Sequence, residues 1–562
     1  MLGYRFGGVH QFMAILGRMT ALLVVAATSL VSCVDGTDVG RDLKPSTRGE
    51  GFAFLLQERA DVGDGTSTAV NVYQALYGKA PANPQYVGYV STIANTGAPA
   101  FAASVAGGFS STSDGALAKL VLDNLDINSS SVTAAGSYAA LLQALTLFFE
   151  YYGLAFRGQI ILNLTNQLAG LAGDQVYGVA AATFNARTLI NVRYSANPAN
   201  LVPGVAVLPG TLGQYPLAQR AAALAVGLGK PSRLLIGLGT VEVSTVQAQS
   251  LKVDIYDQYL SGVGPASWPS YASPAGAYVQ VIARDAEALG AVPMYTLYQM
   301  AARGDGDLSG LQDYVFMQQY WSNVRLLFTQ LGTYGKPALV NLEPDFWGYA
   351  QRSSRDPTQL FAHVSLTSID CPHLGDEIQG VAGCLMLMAR KYAPNAFVGF
   401  PPSFFADLLA TEPDYMKSIG ADKADFVVKQ TLDRDIGCIE AAYVPAGCVR
   451  ATDAKLWDTN NLTSPNFKEH FASARGYFEA LGLPLIWWQT PLGVPSATPG
   501  GTPGAFRDNR ASYFLTHGNE MVAAGGMGVV FSTGPEQTTI STDGGQFKRL
   551  SDSYLTAPTP LP

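Results

Sequence analysis

The run Lys336-Pro-Ala-Leu-Val-Asn-Leu-Glu-Pro-Asp-Phe-Trp-Gly-Tyr349 decides how the chain is read. Ala338, Leu339, Val340 and Leu342 mark a buried strand, and Glu343, Asp345, Trp347 and Tyr349 follow at once. Successive side chains on a strand point to opposite faces. Asn341, Glu343 and Asp345 are therefore expected on one face, with Leu342 and Pro344 on the other. Carboxylates and flat aromatic rings at the exit of a buried strand are the side chains a sugar-cleaving cleft requires.

Short apolar runs of the same kind recur on both sides of this stretch, at 234–238, 251–256, 292–298, 396–400, 426–431, 485–489 and 528–532, with 338–343 among them. Helix-length segments separate most of them, at 276–289, 311–331, 467–481 and 513–524. Two of these segments stop at Gly and re-enter a strand through Pro, in Tyr334-Gly-Lys-Pro337 and Leu481-Gly-Leu-Pro484. Gly is the usual helix stop, so the punctuation fits strand–helix alternation and hence a parallel sheet covered by helices. Eight candidate strands predict an α/β fold, a (β/α)8-like barrel over 231–562. The link from Leu238 to Leu251 is short for a crossover helix, which leaves an irregular or seven-stranded closure as the alternative. Gly237-Leu-Gly239 alone is too little to argue for a nucleotide-binding loop.

Residues 51–230 are rich in Ala, Gly, Ser and Thr and carry few charges. A buried helix is expected at 138–152 and strands at 175–179 and 188–194. The expectation is a smaller accessory domain, mixed or β-rich, acting as a structural cap or as a carbohydrate-binding module. At the N-terminus, Arg5 and Arg18 precede the apolar run 21–33. A basic start, a short apolar core and small residues read as an export signal, too short to span a bilayer comfortably. Its ending Leu30-Val-Ser-Cys33 resembles the bacterial lipobox. That resemblance implies a signal over 1–33, lipidation of Cys33, a tether over 34–50 and attachment to a membrane through acyl chains. Val34, in place of an aspartate, directs the expectation to the outer membrane or cell surface.

The four remaining cysteines suit an oxidising compartment, and local pairs Cys371 with Cys384 and Cys438 with Cys448 are favoured among three connectivities. A net charge of −8 with a pI near 5.2 argues against nucleic acid as a partner. No Gly-x-Ser-x-Gly elbow occurs, and the five His are scattered. A serine nucleophile, a metal centre and a cofactor are therefore not expected, and the working unit is taken as a monomer.

Barrel enzymes place chemistry where strands end. The catalytic candidates are Glu343, Asp345, Asp433 and Asp254. Trp347, Tyr298, Trp488, Gln489 and Lys429 are the candidates for holding substrate. Asp257 and Asp435 read as solvated loop residues. Of the adjacent Trp487 and Trp488, one must leave the lumen, since neighbours on a strand point opposite ways. The long stretch 491–510 reads as a wall of the cleft, with Asp508 and Arg510 at its end.

Leu339-Val-Asn-Leu-Glu-Pro-Asp345 resembles the signature of the glycoside hydrolase family-six cellulases, in which an apolar strand ends in Glu-Pro-Asp. The resemblance implies that Asp345 is the general acid. Leu432-Asp-Arg-Asp435 is similar to a second motif of that family. In the family it precedes the Glu-Pro-Asp strand, whereas here it follows by about ninety residues, so the likeness implies sugar chemistry without membership. Glycoside hydrolysis by two carboxylates at the cell surface is the function expected. A surface lipoprotein that binds glycan on a barrel scaffold without turnover is the alternative.

Overall fold

The computed structural model describes residues 65–129, 131–132, 136–196, 203–204, 207–403, 412–431, 456–496, 501–533 and 538–562. The chain divides into two compact units, one ending at Ala206 and one beginning at Val207.

The second unit is a closed parallel barrel of eight strands. They are β1 (Leu235–Gly239), β2 (Ile255–Ser261), β3 (Val292–Tyr298), β4 (Ala338–Leu342), β5 (Ala396–Phe400), β6 (Phe426–Gln430), β7 (Leu485–Pro491) and β8 (Gly526–Ser532). Each pairs with its sequence neighbours, and β1 closes the ring against β8. Leu235, Ile255, Met294, Leu339, Phe397, Phe426, Ile486 and Val530 point inward and form one apolar cluster with Leu212, Leu224 and Leu228. The helix Arg220–Gly227 thus packs on the end where the strands begin, so residues 207–230 belong to the barrel unit and not to the domain before it.

The alternate residues face outward. Ile236, Tyr256, Tyr295, Val340, Val398 and Trp487 meet the buried faces of the surrounding helices. The helix Tyr314–Tyr334 starts on Asp313, whose carboxylate accepts from the Val315 and Phe316 N–H groups, and stops at Gly335 with φ 66°. The helix Phe467–Leu481 is capped by Asn466 and stops at Gly482 with φ 68°. Both expected glycine stops are thus in place. Gly237 serves packing: a Cβ there would lie 2.9 Å from both Ile255 and Val530. The short link after β1 is spanned by one six-residue helix, Val243–Ala248, which completes the eightfold alternation.

Two expectations need correction. The second strand begins at Ile255 and not at Leu251, so Asp254 sits at its N-terminal end. Leu251 and Val253 are buried among the outer-layer residues before the strand starts, which gives that stretch a strand-like alternation.

The described part of the first unit is helical, not mixed or β-rich: Gly65–Tyr77, Asn83–Thr96, Ala98–Gly107, Asp114–Asn124, Ser137–Tyr152, Arg157–Gly170 and Gly178–Ala196. Most of the supposed strand at 175–179 precedes the last of these helices, and 188–194 lies inside it. This helix buries Ala180, Ala181 and Phe184 near its start and then Arg187, Thr188, Asn191 and Ser195, a helical spacing carried by polar residues in its second half. The Thr188 hydroxyl donates to Asn71 Oδ1 at 2.6 Å, Asn191 Nδ2 to Gln74 Oε1 at 2.7 Å, and Ser195 Oγ to the Pro81 carbonyl at 2.8 Å. A helix interface held by polar pairs leaves no hydrophobic period to read.

Cys371 and Cys384 form the expected disulfide, fully buried, with a sequence separation of 13. Cys438 and Cys448 lie outside the described residues, as does Cys33. Closing a loop of this length removes about 3 kcal/mol of chain entropy from the unfolded state. Replacing both Cys371 and Cys384 by Ser should lower the unfolding free energy by about that amount under oxidising conditions. An unchanged urea midpoint would count against a structural role for the bond.

Candidate active site

At the end where the strands finish, the inward positions turn polar. Asp257, the third residue of β2, follows Ile255 into the lumen and is 1 % exposed. Its Oδ1 accepts from Thr296 Oγ1 on β3 at 2.7 Å, and its Oδ2 from Trp488 Nε1 on β7 at 2.9 Å. Burial pushes the Asp257 carboxyl up to about 6, and those two hydrogen bonds hold it back from rising further. Asn341, on β4, donates to the same Thr296 hydroxyl at 3.4 Å.

Above this floor lies a chain of amides and phenols. Tyr259 packs against Trp488 with ring centroids 5.8 Å apart and against Tyr298 edge-on at 6.0 Å. Gln489 donates to the Tyr259 hydroxyl. Gln430, at the end of β6, lies 3.4 Å from both Gln489 Oε1 and Asp345 Oδ1. Asp345 begins the helix Phe346–Ser353. It also lines a shallow surface depression with Met300, Asp305, Pro344, Phe346 and Tyr349. Tyr298 donates its hydroxyl to Asp305. Burial is the main cause that raises the Tyr298 hydroxyl above its ordinary value; the bond to Asp305 and the charge of Asp345 add to it. The phenol therefore stays protonated and serves as a donor.

Of the residues singled out in the sequence, Asp345, Tyr298, Trp488 and Gln489 meet at this mouth. Others do not. Glu343 is fully buried and faces the helix layer. Its Oε2 accepts the Gln299 and Met300 N–H groups, each at 2.9 Å, and the Tyr320 hydroxyl lies beside it. The expected alternation fails there because Glu343 and Asp345 adopt φ of 58° and 65°, outside strand geometry. Asp254 lies at the opposite end of the barrel, where both its oxygens bond the Arg233 guanidinium. Lys429 points outward, with its ammonium 4.7 Å from the centre of the Tyr477 ring. Trp347 is core, its Nε1 donating to the Leu342 carbonyl and its ring packed on Phe346 and Phe400. Asp508 and Arg510 form a buried ion pair at 2.6 Å, and the guanidinium lies over Trp457. Asp433 and Asp435 lie outside the described residues.

Asp257, read in the sequence as a solvated loop residue, is instead buried in the lumen, Gln430 takes the place expected of its neighbour Lys429, and Tyr259 and Asp305 were not among the candidates. Asp257 and Tyr259 share the inward phase of Ile255, a signal hidden by the misplaced start of β2. Among the described residues, no group of three or more His, Cys, Asp or Glu is arranged to hold a metal ion.

No protein-family model matches the sequence, and no curated protein matches it either. Several solved structures are similar to this chain in part. A D-psicose 3-epimerase from Clostridium cellulolyticum H10 is 10% identical over 57% of this chain and 97% of its own, with a TM-score of 0.30. An endo-1,4-beta-D-mannanase from Thermotoga petrophila RKU-1 is 12% identical over 53% and 88%, with a TM-score of 0.29. The catalytic domain of a beta-amylase from Paenibacillus polymyxa is 9% identical over 58% and 99%, with a TM-score of 0.30. At these values the likenesses carry no argument about the site, whose reading rests on its own residues.

Burial pushes the Glu343 carboxyl up to about 8, against the hydrogen bonds that favour its anion. The folded chain thus holds this proton to about pH 8, whereas the unfolded chain releases it near the ordinary value of 4.5. The stability owed to the protonated group is complete below 4.5 and is lost as pH rises through about 8. Glu343→Gln has no proton to lose and keeps an acceptor for the two N–H groups. Urea melts should show the variant gaining on the wild type between pH 5 and 9, by an amount on the order of a few kcal/mol. Parallel pH profiles would rule out a buried, titrating Glu343.

Proposed function

We propose that the barrel mouth hydrolyses glycosidic bonds in an oligosaccharide or polysaccharide, with Asp345 as the carboxyl that meets the scissile oxygen. The observation carrying this reading is the setting of Asp345. On one side Gln430 links it to Gln489 and Tyr259, and on the other it shares a depression with Asp305. Acid–base cleavage of a glycoside needs two carboxyl groups flanking the bond. Asp345 and Asp305 supply them on one surface, and the Tyr298 hydroxyl orients the second. Amides at Gln430 and Gln489 are suited to sugar hydroxyls, and the Tyr259 ring to the apolar face of a pyranose. Asp257 is the positioning group: its bond to Trp488 Nε1 fixes the indole against which Tyr259 rests.

The second reading is glycan binding without turnover. It is favoured by Asp257, a buried lumen carboxyl both of whose oxygens already accept hydrogen bonds from the protein. Release of reducing ends from a panel of polysaccharides separates the two. Wild type should release product, and Asp345→Asn should cut the rate by about 10²–10⁴ while still binding glycan, the usual range for a lost acid–base group. Asp305→Asn should also lose turnover. Binding with no product by the wild type, or full activity in Asp345→Asn, overturns the hydrolase.

We infer from residues 1–33 that the chain is exported and held at a membrane by acyl groups on Cys33, with the glycan-facing barrel at the cell surface. In cells, Cys33→Ala should move the protein from the membrane to the soluble fraction. An unaltered distribution overturns the anchor.

A further inference from the structure

The helix Ser137–Tyr152 reads in the sequence as buried, yet it ends in an apolar surface. Leu145 and Phe149 pack into the helical unit, whereas Leu147 is 54% and Tyr151 83% exposed. Gly153, with φ 71°, stops the helix. The turn then presents Leu154 and Phe156, 59% and 42% exposed, before the next helix begins at Arg157. The rings form a continuous cluster. Tyr152 lies 4.9 Å from Tyr151, 5.7 Å from Phe148 and 6.1 Å from Phe156.

This tip is held rigidly. The Arg157 guanidinium behind it is buried, pairs with Asp114 at 2.6 Å and donates to the Phe109 and Thr112 carbonyls, each at 2.8 Å. The chain bends by 118° between this helix and the one that follows, which makes the junction a corner. Among the described residues no single helix is long and apolar enough to cross a membrane. Clustered apolar side chains at a rigid exposed corner mark an interaction surface. Tyr at such a corner suits the boundary between headgroups and acyl chains, where an apolar ring and a polar hydroxyl both find partners.

The place of this unit in the chain says what covers the corner. It is the first described folded unit after Cys33, and residues 34–64, 31 in all, separate the two. A chain of that length cannot place Gly65 more than about 110 Å from Cys33. We propose that the corner formed by Leu147, Tyr151, Tyr152, Leu154 and Phe156 is a second membrane contact, dipping into the outer few ångströms of a phospholipid surface. The partner's identity rests on the lipid-anchor reading. A tether supplies high local concentration, so a weak apolar contact suffices to orient the unit on the bilayer.

The test uses residues 34–562, which carry no acyl group, floated with vesicles of phosphatidylethanolamine and phosphatidylglycerol. The wild-type chain should float in part. Leu147→Ser/Tyr151→Ser/Phe156→Ser should reduce the floated fraction at least about fivefold. Leu366→Ser/Ile369→Ser removes two exposed apolar side chains from the barrel unit and should leave flotation unchanged. If the triple variant does not fold, by circular dichroism, Tyr151→Ser alone replaces it. Equal flotation of wild type and corner variant, or no flotation of the wild type, overturns the proposal. Acylation of Cys33 is read separately, from the mass of the N-terminal peptide of the full chain. The anchor and the corner can therefore fail independently.

Discussion

The Glu343 carboxyl group, buried behind the barrel, fastens the mouth. One oxygen takes the N–H groups of Gln299 and Met300, which directly follow β3, while the Glu343 N–H donates to Leu297 at 2.8 Å. The ends of two adjacent strands are thereby joined by three hydrogen bonds. Gln299 extends the bond network outward, its Oε1 accepting from Trp268 Nε1 at 3.1 Å and from Asn323 Nδ2 at 2.7 Å. Two departures into positive φ, at Glu343 and Asp345 on either side of Pro344, cost about 1–2 kcal/mol each for residues other than glycine. The buried hydrogen bonds offset that strain, and the result is a chain turned so that Glu343 leaves the lumen and Asp345 arrives at its rim. Met300 and Asp305, on the stretch held by Glu343, line the same depression as Asp345.

This kink explains why Glu343 leaves the face on which alternation expected it, while Asp345 reaches the rim of the barrel. Face alternation is reliable only while the backbone stays extended, and here it ends at Leu342. Nothing in the residues 343–345 announces a positive φ, because Glu and Asp carry no steric preference for it. Elsewhere the sequence was explicit. The Gly stops at 335 and 482 and the apolar runs located seven of the eight strands closely, because strands covered on both faces are apolar throughout. β2 was shifted by the buried Leu251 and Val253 that precede it. That shift put Asp254 at the wrong end and left Asp257, which lies inside the strand, to be read as a loop residue.

Phase within a strand was the other hidden quantity. A fully buried strand has no polar face to set which residues point inward, so Lys429 and Gln430 were equally eligible from sequence. Tertiary context decides: Lys429 lies against Tyr477 of the outer helix and Gln430 reaches Asp345. In the helical unit the helix expected at 138–152 is present, but the strands expected beyond it are helix or turn, for a related reason. Its last helix buries Thr188, Asn191 and Ser195, and hydropathy cannot register an interface made of hydroxyls and amides.

The adjacent tryptophans of β7 show how one strand serves both layers. Trp487 points outward, where its Nε1 donates to His470 Nε2 at 2.8 Å. That bond requires an unprotonated acceptor nitrogen, and burial, assisted by the nearby charges of Lys429 and Arg510, holds the His470 imidazole well below its ordinary value. Trp488 points inward and donates to Asp257. Each indole N–H is therefore satisfied by a group that burial tends to keep uncharged or proton-bearing, and the strand is fixed from both faces. Gln489 comes next, with φ 53°, and bonds Tyr259 across the lumen instead of continuing the alternation. As at β4, the polar end of the strand reaches the mouth by a backbone turn away from extended geometry. The two strands that deliver Asp345 and Gln489 use the same device, and Gln430 between them joins the two deliveries into one site.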